Sequence, residues 1–199
     1  QLSNVASPWS PYQYVMSDDN GATGFTGADT FAFNLTGLAD TGTMYSRMVI
    51  NNDTLPVMLL AVVALPETIN AAWTGGFLHS DIICALPTGE HVTIYSCSGS
   101  NGTGEGVGGG NVAFARGQGD TLIAGWMQTS DVTGYSAETV NWDIMVAGSA
   151  DGGHTWETPI TVVNTIMAEC FPHFAIHVGS DRNVHMIYGT DNSTTVNGD

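Results

Sequence analysis

A serine, an aspartate and a histidine lie within six residues of one another in SADGGHTW, residues 149–156. These are the side chains of a nucleophilic hydrolase, in which histidine takes the serine proton and a carboxylate orients the histidine. Ser149, Asp151 and His154 are too close along one tight Gly-Gly turn to form such a triad. The spacing therefore favours a structural turn over an active site.

Each residue type in this segment has a structural explanation. The aspartate can accept hydrogen bonds from the backbone of its own turn, and the glycines after it permit positive φ angles. The serine and threonine are expected to face each other across the hairpin, and the tryptophan to fill a gap between neighbouring sheets. The predicted structural motif consists of Ser149, Asp151, Gly153, Thr155 and Trp156.

Charge is the unusual feature of the composition. The 199 residues contain 19 acids and only 3 bases, which gives a net charge of -16. This argues against nucleic acid, whose phosphates require a basic surface, and against anionic membranes. With 43% hydrophobic residues the chain can form a core. The longest apolar run, residues 55–65, is too short for a membrane helix and predicts a buried strand. A strongly acidic soluble chain fits a secreted or surface-exposed protein.

Several features bear on processing. Gln1 is not an initiator methionine, so we expect that a leader was lost or that the chain was cut from a larger protein. Cys84, Cys97 and Cys170 allow either one disulfide and a free thiol or three buried thiols, and no C-x-x-C spacing supports a zinc or redox motif. Glycosylation acceptor triplets begin at Asn34, Asn52, Asn101 and Asn192.

Short runs of β-branched and aromatic residues alternate with polar turns, which predicts an all-β fold, and the runs repeat. Residues 47–60, 113–126 and 174–188 each read as strand, Asp-containing turn and strand, at spacings of about 67 and about 61 residues. Residues 80–94 and 142–156 share Asp-Ile-x-x-Ala followed by a Gly-containing turn. Repeated antiparallel units of this size are typical of β-propeller blades.

The segment at 149–156 resembles the Asp-box of sialidase-like propellers, the bacterial neuraminidase repeat family. The resemblance is strong over residues 111–190 and weaker, but in register, over residues 11–95. It implies that the box joins the third and fourth strands of a blade. A degenerate box, in which glycine replaces the tryptophan, is predicted at Ser17, Asp19, Gly21 and Thr23.

The repeats predict a single β-propeller segment with about three blades' worth of four-stranded antiparallel sheet. Residues 1–44 would end one blade, 45–110 and 111–170 would form two more, and 171–199 would begin the next. The two end pairs could complete one blade together, the chain could be an excerpt of a longer protein, two copies could form one ring, or the sheets could pack in an open assembly. An unpaired edge strand is a liability, so missing sequence or a partner is expected.

A catalytic role for the arginines and carboxylates is the alternative to this structural interpretation. The resemblance implies three arginines that clamp a sialic acid carboxylate, one of them in an Arg-Ile-Pro motif that this chain lacks. Arg47, Arg116 and Arg182 occupy different positions of the repeat, so we expect them to pair with carboxylates instead. Two carboxylates could suffice for another glycosidase, but no pair among the many turn acids can be singled out.

Two groups of residues could bind a metal ion, a pair of histidines and the acidic loops. His177 and His185 flank one turn and could bind a metal with Glu169 or Asp181, although polar residues on a sheet face are the simpler interpretation. His173 would lie about 13 Å from His177 along a strand and cannot readily join them. Calcium suits the acidic loops better. The structural calcium candidates are Asp18, Asp19 and Asp191.

The sequence therefore predicts a secreted or surface-exposed Asp-box propeller module with a binding or structural role, no catalytic residue and no required cofactor. Its expected partner is a glycan or an extracellular protein, or the rest of a propeller. One alternative is a fragment of a sialidase-like glycoside hydrolase whose catalytic residues lie mostly elsewhere. The other is a self-assembling extracellular filament or surface-layer subunit.

Overall fold

Antiparallel β-strands make up the regular structure of the chain in the computed structural model. The structure describes residues 12–14, 22, 29–31, 41–53, 55–64, 79–98, 109–129, 142–163, 165, 168–175 and 183–191. Every regular element in those ranges is a strand, so the all-β prediction is confirmed. None of these residues lies in a helix long and apolar enough to cross a membrane.

The strands form two ribbons and two four-stranded sheets. The first ribbon pairs β1 (Tyr12–Tyr14) with β2 (Asp29–Phe31). The first sheet has the order β3 (Thr41–Ile50), β4 (Pro56–Ala64), β5 (His79–Ala85) and β6 (His91–Ser98). The second sheet has the order β7 (Gly109–Arg116), β8 (Leu122–Thr129), β9 (Trp142–Ser149) and β10 (Ile160–Val163). The second ribbon pairs β11 (Ala168–Phe174) with β12 (Met186–Asp191).

Both four-stranded sheets are simple meanders in which each strand pairs with its neighbour in sequence. The repeated segments 47–60 and 113–126 lie on the first hairpins of their sheets, and 80–94 and 142–156 begin on the third strands. Asp81 and Asp143, which open the two Asp-Ile repeats, are both buried. The repeat seen in the sequence is therefore a repeat of strand order as well.

The apolar run at 55–65 forms β4, as the sequence predicts. The strand is hydrogen-bonded on both edges, to β3 and to β5. Val57 and Leu59 alternate with Met58 and Leu60, and all four side chains are buried. A strand covered on both faces needs apolar residues at every position rather than at alternate ones, which accounts for the unbroken run.

The two four-stranded sheets pack face to face, and strand β7 contacts β3, β4 and β5. The shared core takes Leu59 and Ile82 from the first sheet and Leu122 and Trp126 from the second. The Trp126 ring is fully buried, and its centroid lies 5.8 Å from that of Tyr95. Trp126 therefore serves packing, and burial of its large ring contributes to holding the two sheets together.

The second ribbon covers the opposite face of the second sheet, since β11 contacts β7, β8 and β9. The Phe174 ring lies directly over Gly125 of β8, and a Cβ at that glycine would be 2.7 Å from Phe174 Cζ. Only a residue without a side chain permits this approach. The second sheet is therefore the middle layer of three.

The described strands form four separate sheets that do not close into a ring. The structure thus shows stacked antiparallel sheets and not a complete propeller. The predicted blade boundaries, at residues 45, 111 and 171, stay predictions.

Replacing Gly125 by alanine should destabilise the fold by about 1–3 kcal/mol, because the added methyl overlaps the Phe174 ring. Urea denaturation followed by circular dichroism measures this loss. Gly148→Ala in β9 is the matched control, because a Cβ there meets only Glu157 Oε2 at an ordinary 3.5 Å. Phe174→Leu should partly rescue Gly125→Ala, and equal stability of both glycine variants would contradict the contact.

Candidate functional site

The turn at 149–156 joins β9 to β10, the third and fourth strands of the second sheet. It lies at the same end of the two sheets as the β3–β4, β5–β6 and β7–β8 turns. Residues from all four turns line a polar cleft of about 270 Å³, among them Asp53, Asp120, Asp151 and His154. This end of the sheets therefore brings Asp151 and His154 together with the aspartates of two repeated hairpin turns.

The Asp151 carboxylate closes the turn through hydrogen bonds on both oxygens. Its Oδ1 accepts from Ser149 Oγ and from the Thr155 backbone N–H, each at 2.9 Å. Its Oδ2 accepts from Thr155 Oγ1 at 2.6 Å. Ser149 and Thr155 thus meet through the carboxylate between them. Bonds from Thr155, with a smaller contribution from Ser149, lower the pKa of Asp151 to about 2.

The serine in this turn is not arranged as a nucleophile. Ser149 is buried, and its hydroxyl proton is donated to Asp151. The same oxygen accepts a hydrogen bond from the Gly153 backbone N–H at 2.9 Å. His154 is exposed and lines the polar cleft. A nucleophile needs a base within hydrogen-bond reach and an approach for substrate, and this serine has its hydrogen bonds committed to the turn.

Gly153 brings the turn into contact with the first sheet. Its φ of 101° is one that L side chains rarely adopt, and a Cβ there would lie 2.8 Å from Cys84 Sγ. The carbonyl of Gly153 accepts a hydrogen bond from Trp156 Nε1 at 3.0 Å. The Trp156 ring in turn packs against Phe114, with 6.4 Å between centroids. The turn therefore stabilises its own sheet through Trp156 and packs that sheet against the first sheet through Gly153.

A second contact between the sheets is made by an arginine. Arg116, at the end of β7, donates to the backbone carbonyls of Ile50 and Asn51 at 3.2 and 3.3 Å and to the Asn52 side-chain oxygen. Asn52 Nδ2 then donates to Asp120 Oδ1 at 3.0 Å. The acceptors of Arg116 are uncharged, which corrects the expectation that it pairs with a carboxylate. The guanidinium holds the β3–β4 turn against the β7–β8 turn.

Comparisons with protein families, curated proteins and solved structures found no match to this chain. The function of this chain is therefore inferred from its own residues.

Several predicted residues lie outside the described part of the chain. They are the degenerate box at Ser17, Asp19, Gly21 and Thr23, the calcium candidate Asp18, the glycosylation candidates Asn34, Asn101 and Asn192, and Arg182, His177 and Asp181. Asp191 ends β12, and the side chains of Cys97 and Cys170 are not described either. Asn52 lies exposed in the β3–β4 turn.

The metal candidates are not brought together where the structure describes them. Glu169 is fully buried in β11 and accepts a hydrogen bond from Thr165, whereas His173 and His185 are exposed. No three histidine, cysteine or acidic side chains in the described ranges are placed to hold a metal ion. The calcium prediction stays a prediction, because Asp18 and Asp19 lie outside those ranges and the Asp191 side chain is not described.

Arg116, Asn52 and Asp120 form an inter-sheet contact that the sequence did not reveal. Asn52 is 64 residues from Arg116 and 68 from Asp120. Neither the charge pattern nor the turn chemistry indicates which acceptor the arginine reaches. The one available signal was that the Asn52 and Asp120 turns occupy equivalent positions of the repeat. Equivalent turns of stacked sheets lie side by side.

Asp151→Asn should lower the free energy of unfolding by roughly 1 kcal/mol at pH 6, a modest value because solvent screens this exposed carboxylate. The folded-state pKa of about 2 lies below the ordinary value of 3.8. The charged form therefore stabilises the fold above about pH 4, and this contribution disappears as the pH falls through about 2. Urea denaturation of both proteins from pH 6 to 2 should show the gap narrowing, and a gap independent of pH would contradict the assignment.

Cys84 should resist alkylation in the folded protein. It is a free thiol, and burial, helped by the Asp151 charge, raises its pKa to about 12, so almost no thiolate forms at pH 8. Iodoacetamide treatment followed by peptide mass mapping distinguishes Cys84 from Cys97 and Cys170. Cys84 should be modified only after denaturation, and rapid labelling of the native protein would refute its burial against Gly153.

Proposed function

We propose that the chain forms part of a sialidase-like, Asp-box β-propeller that acts outside the cell as a non-catalytic binding or structural module. The observation that carries the proposal is the turn at 149–156. It joins the third and fourth strands of a four-stranded meander and packs its Gly153 against Cys84 of the preceding meander. Successive meanders stacked face to face are the units from which propellers are built.

The chemistry of the turn supports a structural role for it. Ser149, Asp151 and Thr155 direct their hydrogen bonds at one another and at the turn backbone. Arg116 has its guanidinium bonded to uncharged acceptors of the β3–β4 turn, where it cannot also serve in a clamp for a sialic acid carboxylate. A fragment of a sialidase-like glycoside hydrolase is therefore the weaker alternative.

The charge supports an extracellular role and sets the choice of partners. A net charge of -16 favours neutral glycans and protein surfaces over nucleic acids. We expect the propeller to require no cofactor, and structural calcium in the acidic loops is the metal that the sequence favours.

A self-assembling subunit is the second candidate, and exposed apolar side chains favour it. Ile160 on β10 and Ile187 on β12 are 61% and 72% exposed, and Phe171 on β11 is 57% exposed. Edge strands and faces of this kind are usually covered by another sheet. In a propeller the cover would be the next blade, and in a filament it would be another subunit.

Sedimentation and negative-stain microscopy of the native protein test the architecture. A ring of radial sheets, formed by a longer chain or by a defined dimer, is the expected result. An open polymer would favour the filament, and a stable 20.9 kDa monomer without a ring would contradict the propeller.

A fluorogenic sialoside assay tests the non-catalytic role. We expect no release of the fluorophore, because the sialidase machinery is not assembled in the described residues. Arg47→Lys and Arg116→Lys serve as controls if any activity appears. Hydrolysis that either variant abolishes, with the melting temperature retained, would show an enzyme instead.

A further inference from the structure

A cavity of about 560 Å³ lies on the ribbon side of the second sheet, away from the core shared with the first sheet. The end of β9 and the β7–β8 turn form two of its walls, and Val184, just before β12, forms a third. Its volume is within the roughly 300–1,000 Å³ of small-molecule sites. Ser149 and Ala150 also line the cavity, so it adjoins the turn that Asp151 closes.

The polar groups of the cavity can both donate and accept hydrogen bonds. Glu157 supplies a carboxylate, Gln118 an amide and Thr121 a hydroxyl. The Glu157 side chain is exposed, and its Oε2 lies over Gly148, 3.5 Å from where a Cβ would be. Its backbone N–H is fixed by a 2.8 Å bond to the Gly148 carbonyl. The carboxylate is therefore anchored at its base and directed along the cavity wall.

The remaining surface of the cavity is aliphatic or is bare backbone. Ile123 contributes a buried side chain, and Val184 is 44% exposed. A Cβ at Gly119 would meet nothing nearer than Asn52 Nδ2 at 4.0 Å, whereas a Cβ at Gly117 would lie 3.0 Å from the Thr121 side chain. A flat aliphatic surface beside a carboxylate, an amide and a hydroxyl suits a ligand with C–H groups on one face and hydroxyls around its rim.

The charge of the lining limits the ligand further. Glu157 is its one ionised side chain, and neither arginine nor histidine is among the lining residues that the structure describes. Among the described lining residues the Glu157 carboxylate has no cationic neighbour, so it disfavours anionic sugars. No three histidine, cysteine or acidic side chains in the described ranges are placed to hold a metal ion there. What remains is a neutral hydroxylated ring.

We propose that this cavity binds a neutral saccharide. The inference rests on the proposed function, in that it takes the module's ligand to be a glycan and names its class and location. It differs from the sialic acid that the family resemblance implies, because the Glu157 carboxylate disfavours an anionic ligand. The sugar ring lies on Ile123 and Val184, and its hydroxyls donate to Glu157 and exchange hydrogen bonds with Gln118.

Titration calorimetry of the full chain tests the proposal. The probes are the methyl glycosides of glucose, galactose and mannose, their neutral disaccharides, and sialyllactose as the anionic comparison. At least one neutral sugar should bind with a Kd of about 1 mM or below, and sialyllactose should bind at least tenfold more weakly. Binding of sialyllactose alone, or of no sugar, would overturn the proposal.

Two variants locate the site. Glu157→Gln removes the charge and should weaken neutral-sugar binding about tenfold, because hydrogen bonds to a charged group are roughly twice as strong as neutral ones. Gly148→Ala places a methyl beside the Glu157 carboxylate and should weaken binding without lowering the melting temperature. Glu90→Gln, on the β5–β6 turn and outside the cavity, is the charge-matched control and should bind as the unaltered protein does.

The outcomes separate this inference from the proposed function. Neutral-sugar binding that both cavity variants leave unchanged would overturn the location. A chain that forms the ring but binds no sugar would overturn the inference and leave the propeller module standing. Glycoside hydrolysis would overturn the non-catalytic role, and the effects of Glu157→Gln and Gly148→Ala on binding would still decide the cavity.

Discussion

The distance between stacked sheets is the constraint on which the rest of this structure depends. The second four-stranded sheet has a neighbour on each face, and on each face one glycine lies in close contact with a side chain of that neighbour. Gly153 meets Cys84 on one side, and Gly125 lies under Phe174 on the other. Side chains between β-sheets normally set a separation of about 10 Å. At these two places backbone meets side chain directly, and the larger residues pack around them.

The Asp151 network follows from that constraint. Gly153 can reach Cys84 only if the turn keeps an unusual backbone conformation, and the carboxylate keeps it there by bonding to Ser149 and Thr155. Arg116 adds a contact at the same end of the sheets by holding the β3–β4 turn. Two of the three sheet layers are thus joined by polar contacts at their turns and by an apolar core between their strands.

Much of this was predictable from the sequence, for physical reasons that differ among the elements. The unbroken apolar run at 55–65 predicts a strand covered on both faces, and β4 is one. The box residues predict a braced turn because Asp and Gly have local effects on the backbone. The acceptors of Arg116 and the contact between Gly125 and Phe174 were not predictable, because both depend on how one sheet lies on another. The cavity beside Glu157 depends on the same placement, since its walls come from turns and strands far apart in sequence.

Strand β4 also bears on how the chain is made. Its nine residues have no charge, and apart from the first, a proline, all are apolar. Before β3 and β5 pair with it, such a segment is a template for pairing with other chains. β3 precedes β4 by a short turn, so these two strands can pair early. The connection from β4 to β5 is longer, so the other edge of β4 is covered later during folding. No charged residue within β4 interrupts that edge. The interval between formation of the β3–β4 hairpin and docking of β5 is therefore when this strand is most open to pairing with another chain.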